Sequence, residues 1–320
     1  MNSTLKTALV LAVFSLAGGQ ALADTFVRMV SGPAGGSWYP LGAKISEVLG
    51  KEIADISTSN GPGGGVGNIK DVSKGEAEIG WSYGHTVYDG FKGQGAFDKP
   101  YENVRYLATL YPAALQTVVP ASSNIQSYAD LKDKNISPGK AQWSGFDAYK
   151  LVIGKYGHTV EDVANNGGTV HHVSYSDSVA LMKDGHIDAF SALTSVPQAS
   201  LLDLEFSPGV RFLPIEEDVL SGILADNPGY IRVDITHDDY KSVSEPVPAL
   251  GAVTVMVVNK DLPDELVYQI TKSLWENHDE FVKVKDIWNS VKLEDALLGA
   301  AIPVHPGAQR YYDEHSVKLK

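Results

Sequence analysis

The stretch Phe26-Val27-Arg28-Met29-Val30-Ser31-Gly32-Pro33-Ala34-Gly35-Gly36-Ser37-Trp38-Tyr39-Pro40-Leu41-Gly42-Ala43-Lys44-Ile45-Ser46-Glu47-Val48-Leu49-Gly50 decides the fold class. Residues 26–30 are apolar and β-branched enough for a buried strand. Residues 31–37 are a glycine-rich loop. Leu41, Ile45, Val48 and Leu49 then recur at helical spacing, with Gly50 near the end. The order repeats at once, with a short strand at 54–58, a second glycine-rich loop at 61–67 and a short helix at 69–74. Strand, loop and helix in this order imply an α/β fold with a mostly parallel sheet covered by helices.

An internal echo points to two lobes. Lys74-Gly75-Glu76-Ala77-Glu78-Ile79-Gly80-Trp81 pairs with Asp184-Gly185-His186-Ile187-Asp188-Ala189-Phe190, and each runs from a helix end through a capping glycine into an apolar strand. A second pair, Tyr83-Gly84-His85-Thr86-Val87 and Tyr156-Gly157-His158-Thr159-Val160, reads as coincidence. The first follows a strand, and in the second Thr159 caps a helix with Asp162 three residues on. Extended runs at 115–119 and 251–258 are candidates for chain crossing between lobes. Helical stretches are expected at 266–277 and 280–291. The expected lobes are 24–118 with 251–320, and 119–250, with a ligand cleft between them at the strand ends.

Composition excludes several classes. The 320 residues are 43% hydrophobic and 20% charged, which is ordinary globular usage. A formal charge of −13 opposes nucleic-acid binding, which requires neutralising phosphates. With no cysteine, disulfides, thiolate nucleophiles and Cys-ligated metals are ruled out. Residues 1–23 read as a signal peptide. Lys6 is the positive end, 8–17 the apolar segment, and Ala21-Leu22-Ala23 the cleavage site before Asp24. The apolar run is short for a bilayer span, so the remainder is expected in the periplasm without a membrane anchor.

The ordered motifs resemble the solute receptors of TRAP transporters, in the TAXI subfamily. They are Gly35-Gly36-Ser37-Trp38-Tyr39-Pro40-Leu41-Gly42, Gly75-Glu76-Ala77-Glu78-Ile79-Gly80, Val87-Tyr88-Asp89-Gly90, Leu110-Tyr111-Pro112 and Ala129-Asp130-Leu131-Lys132. Asp184-Gly185-His186-Ile187-Asp188-Ala189-Phe190 and Ile302-Pro303-Val304-His305-Pro306-Gly307-Ala308 follow, with Arg310-Tyr311-Tyr312 at the end. The resemblance implies a two-lobed, periplasmic-binding-protein-like fold (type II-like). It also implies a small solute closed between the lobes, membrane subunits of a TRAP transporter as partners, and amino acids or organic acids such as glutamate as ligands. It implies no cofactor and no catalysis.

Candidate ligand residues cluster in loops. At Gly36, Ser37 and Tyr39, backbone N–H groups and a helix dipole can face an anion. The same residues also fit an ordinary capped turn, and Trp38 or Tyr39 fit a core aromatic. Gly63 and Gly64 keep backbone donors where the family usually has Thr-Gly-Gly-Ser, so a hydroxyl contact is lost there; Ser59 and Asn60 fit a substitute for it and equally a loop-capping role. Tyr83 and His85 stand where the family often carries Gln and Asp; protonated, His85 would donate to a carboxylate. Ser144 and Gly145 match the family's Ser-x-Gly-x-x-x-Ser-Gly loop, which appears one residue longer here and adds Lys140, Gln142 and Trp143 as further candidates. Lys140 also fits a solvated surface amine. Gln116, Thr194 and Ser195 complete the set near crossover or strand ends.

Other readings lack residues. Neither Ser37 nor Ser144 makes G-x-S-x-G, and the loops match neither a P-loop nor G-x-G-x-x-G. His171 and His172, adjacent in an extended segment, point to opposite faces and cannot easily share one metal. A receptor with a non-carboxylate or metal ligand is the alternative, and an exported hydrolase is more distant.

Overall fold

The computed structural model describes residues 25–319. The expected signal peptide lies outside the described residues. The opening stretch forms β1 (Thr25–Val30), a loop and α1 (Trp38–Glu52), followed by β2 (Ile56–Gly61), α2 (Val66–Lys74), β3 (Ile79–Tyr83) and α3 (Gly84–Lys92). Pro40 is tolerated in the first turn of α1 because the N–H it lacks has no intrahelical partner there. Leu41, Ile45, Val48 and Leu49 are all buried, as their spacing requires. Each fully buried aliphatic side chain of this kind stabilises the fold by about 1.5–3 kcal/mol.

The second lobe repeats the step. It contains β5 (Ile136–Ser137), α4 (Ser144–Lys155), α5 (Val160–Asn165), α6 (Tyr175–Lys183) and β6 (Ala189–Thr194). A lone parallel bridge, Ile136 to Val170, stands where β2 stands in the first lobe. Both echo motifs behave alike. Gly75 and Gly185 have φ of 75° and 71°, a left-handed conformation that lets α2 and α6 stop and turn into β3 and β6. Then α7 (Ala199–Phe206), β7 (Val210–Phe212), α8 (Glu217–Asp226) and β8 (Ile231–Ile235) fill out this lobe.

Two long strands thread both lobes, β4 (Val104–Pro120) and β9 (Val247–Asn259). They include the runs 115–119 and 251–258 expected to cross over. The main path of the sheet is β2-β1-β3-β9-β4-β6-β5, with β7 on β4 and β8 on β9. Strands β1, β2 and β3 pair in parallel, as do β5 and β6, while β9 runs antiparallel to β3 and β4 antiparallel to β6. Between the lobes the β4–β9 ladder shifts register at Tyr106/Ala108 and again at Thr109/Pro112. Bulges of this kind locally bend and twist a strand pair.

At the C-terminal end, α9 (Asp264–Glu276) and α11 (Pro306–Glu314) pack together on the first lobe. The helix expected over 280–291 is instead α10 (His278–Val282) and a separate 3-10 turn at Asp286–Ser290. Phe281 and Trp288 are both buried, their rings 5.1 Å apart, so the intervening chain loops out to bring both inward.

Candidate functional site

The loops at the strand ends meet between the lobes. From the first lobe, Gly36 and Ser37 open α1, Gly64 precedes α2, and Tyr83 ends β3 before α3. From the second, Trp143, Ser144 and Gly145 open α4, Tyr175 opens α6, and Leu193 and Thr194 end β6. These residues, with Pro33 and Trp38, line one cavity.

Polar contacts across it are direct. Ser37 Oγ lies 3.1 Å from Thr194 Oγ1, Tyr83 OH donates to Leu193 O at 2.9 Å, and Thr86 Oγ1 donates to Ser144 Oγ at 3.0 Å. Backbone joins backbone as well: Ser144 N–H reaches Gly64 O, and Gly67 N–H reaches Gln142 O, both at 3.1 Å. Ser200 Oγ donates to Gly35 O at 2.6 Å, and Gln198 Nε2 donates to the same carbonyl. Gly35, with φ of 83°, comes so close to the other lobe that a Cβ there would lie 2.7 Å from Ser176 Oγ. The lobes are therefore shut. The cavity that remains is about 20 Å³, room for about one water.

Trp143 accounts for the lack of space. A Cβ on Gly64 would fall 1.7 Å from Trp143 Cδ1, and one on Gly139 would fall 2.9 Å from its Cε3. The indole thus lies between two glycines, one from each lobe, with its edge toward Tyr175 at 5.2 Å. Burial pushes the phenols of Tyr83 and Tyr175 up, so both stay neutral hydroxyls.

No Lys, Arg, Asp or Glu lines this cavity. The positive electrostatics come from helix ends. The N-termini of α1, α2, α3 and α4 all open onto it, and none has a side-chain cap. In α1, α2 and α3 the first turn also carries no acid. The first N–H groups of α1 and α3 have no backbone partner among the described residues and face an anion together with the helix dipoles, whereas in this shut form Val66 and Gly67 of α2 and Ser144 of α4 already donate to backbone carbonyls.

Other candidates lie outside the lining. Tyr39 is 38% exposed on the outer side of α1. Asn60 donates to Tyr39 O and Gly63 packs against Asn68, so both shape the loop. Lys140 is exposed, its Nζ 5.9 Å from the Trp143 ring, and Gln142 is exposed and contributes its carbonyl across the cleft. Gln116 is fully buried behind the cavity, where it donates to Thr194 O and Ser195 O. Ser195 lines a different depression beside Pro197.

His85 departs most from its expected role. Its ring stacks on Tyr230 at 4.0 Å, and burial lowers its pKa to about 3. The imidazole is neutral at mildly acidic pH and does not line the cavity; its Nε2 lies 3.0 Å from Thr86 Oγ1, which in turn donates to Ser144. His172 Nδ1 lies 2.8 Å from Gly139 O and steadies the Trp143 loop. Among the described residues no group of three His, Cys, Asp or Glu could hold a metal.

The sequence reading missed Tyr175, Leu193 and the buried Asn68. Asn68 Nδ2 donates to Val30 O, Ser31 O and Trp81 O, and its Oδ1 accepts from Gly64 N–H. One amide thereby ties the ends of β1 and β3 to the glycine loop. A buried Asn one turn into a helix after a glycine run is the signal that was available.

Two lobes, two threading strands and a cleft at the strand ends define a two-lobed fold of the periplasmic-binding-protein type. The chain belongs to the NMT1-like family, whose model matches residues 29–315. A structure from Bordetella bronchiseptica RB50 has the same fold, with a TM-score of 0.55 at 17% identity, covering 93% of this chain and 100% of that one. Weaker likenesses include the alkanesulfonate-binding protein SsuA from Xanthomonas axonopodis pv. citri bound to MOPS, at TM-score 0.47 and 13% identity over 91% of this chain and 83% of that one. An ancestral arginine-binding protein bound to arginine also has a TM-score of 0.47, at 16% identity over 83% of this chain and 99% of that one. Among the described residues no helix is long and apolar enough to cross a membrane.

Proposed function

We propose that the protein is a periplasmic solute receptor that closes on one small carboxylated solute, such as glutamate or 2-oxoglutarate, and catalyses no reaction. The observation that carries this reading is the convergence of four uncapped helix N-termini from both lobes on a cavity with no basic side chain. Neutral donors so arranged hold an anion without a fixed counter-charge. Ser37, Thr194 and Ser144 supply hydroxyls, and Trp143 and Tyr175 supply apolar walls. Entry of the solute requires the lobes to part and Trp143 to yield its place. A solute touching both lobes then shifts the population back toward the shut form. The ordered motifs, which resemble TAXI receptors, support delivery to TRAP membrane subunits.

Thermal unfolding of protein stripped of ligand by denaturation and refolding tests this, against amino acids, keto acids, dicarboxylates, sugars and divalent metals. Carboxylates are expected to raise the midpoint, because a ligand of the folded state alone stabilises it. A shift with sugars or metals and none with carboxylates overturns the ligand class. Uptake by proteoliposomes bearing TRAP membrane subunits should need the receptor and an ion gradient but no ATP; ATP dependence overturns the partner.

A further inference from the structure

A second cavity, of about 750 Å³, lies behind the crossover strands. This size is in the range of pockets that hold small organic molecules, roughly 300–1,000 Å³. Its walls come from both lobes. The first lobe gives Tyr88 and Asp89 of α3 and Leu298 from the loop before α11; the second gives Tyr230 from the loop before β8. Tyr106 and Val253 of the threading strands form the floor. The lobes also touch here directly, since a Cβ on Gly229 would lie 2.4 Å from His85 Cβ.

The chemistry of these walls differs from that of the cleft. No Lys or Arg lines the cavity, whereas Asp89 and Asp226 do. Asp226 is paired with Lys155 at 2.9 Å. Asp89 is half-buried, and its carboxylate makes no hydrogen bond or ion pair among the described residues. Burial, and then the charge of Asp147, pushes its carboxyl up, so a bound cation would relieve it. Three tyrosine side chains in the lining beside a carboxylate suit a cation attached to an apolar or aromatic body.

We propose that this cavity binds a small organic cation with an aromatic or apolar body, held by Asp89 and the tyrosines, and that its occupancy favours the shut form of the lobes. The second clause follows because the walls belong to both lobes and take this shape while the cleft is closed. The site stands whether or not the cleft takes a carboxylate; only the consequence for solute capture rests on the receptor reading.

The test is isothermal titration of phenethylamine into the stripped full chain, with no other ligand present. Saturable one-to-one binding is expected, at least about tenfold tighter than for 3-phenylpropanoate or 2-phenylethanol, the worth of one favourable charge contact. Asp89→Asn should weaken it by about tenfold or more without lowering the melting temperature. Leu298→Lys, at a position 47% exposed and so tolerant of substitution, should weaken it as well. Absence of saturable binding, equal binding of the anion, or indifference to both variants overturns the site. Amide exchange at Ser144 and Gly67, whose N–H groups bond across the cleft, should slow when phenethylamine saturates the protein. Unchanged exchange overturns the linkage to closure and leaves the cleft's own ligand, read by the thermal panel, unaffected.

Discussion

The starts of α1, α2 and α3 in the first lobe and of α5 and α6 in the second are finished differently. At the α5 start Thr159 and Asp162 form a complete capping box, and at the α6 start Ser174 and Asp177 do the same. At the α1 start Ser37 stands in the capping position yet its hydroxyl makes no cap; it reaches Thr194 in the other lobe instead. The α2 and α3 starts have Gly65 and Tyr83 in that position and no cap either. An unmade side-chain cap leaves a helix less stable by about 1 kcal/mol, and by roughly a few tenths where glycine holds the position, as Gly65 does at α2. The missing cap is not confined to the cleft, since α8 and α9 start without one and α6 lines the cleft through Tyr175 with its capping box intact; what singles out α1, α2 and α3 is that all three converge there.

Four experiments, taken from the largest expected effect to the smallest, probe the cleft and the elements around it. Gly64→Ala places a methyl 1.7 Å from Trp143 Cδ1. It should weaken the cleft solute by about 100-fold or more, measured by calorimetry, with melting little changed. Adding Trp143→Ala should restore part of the loss; no recovery would mean that the indole is not what the methyl strikes. Next, Ser37→Asp puts a negative charge at the α1 end. Carboxylate affinity should fall about tenfold or more while the helix itself gains a cap. Undiminished affinity would show that the α1 terminus does not hold the anion.

The third concerns acid. His85 has a pKa of about 3 in the fold, lowered from 6.5 by burial. Stability from keeping it neutral is fully present above pH 6.5 and drains away as pH falls toward 3, by up to about 1.4 kcal/mol per pH unit. Burial lowers His158 and His305 as well, so they add to the same limb. His85→Phe should flatten denaturant midpoints across that window by one proton's worth; an unchanged slope would remove His85 from the acid limb. Smallest is Thr159→Ala, expected to cost about 1 kcal/mol of stability and to leave solute affinity untouched.

What the sequence discloses follows the range of the interactions involved. Strand, loop and helix order is local, so residues 26–50 disclose it, and the echo at Gly75 and Gly185 is legible because only glycine turns left-handed cheaply there. The full length of β4 is not legible, since Pro112 and two register shifts interrupt the pattern that 115–119 continues. Ser37, Gly64, Tyr83, Trp143 and Thr194 are brought together because their loops sit at strand ends. Tyr39 is not, because one step along a helix turns a side chain by about 100° and the phase at a helix start has no preceding turn to fix it. Lys140 stays in water, where an amine is better solvated than in a cavity lined by indole and phenol. Tyr175 comes from a helix more than a hundred residues from Ser37, and no local pattern announces that meeting.

The threading strands have a consequence for the order in which the molecule can be made. β9 lies between β3 and β4 in the sheet, so the first lobe lacks its inner strand until residue 259 has been added. Its parallel half, β2-β1-β3, waits with an unpaired edge through more than half of synthesis, at roughly 5–20 residues per second. Contacts of such long sequence separation also make folding slow. A nascent chain of this design can complete the sheet of its first lobe only after β9 has been made.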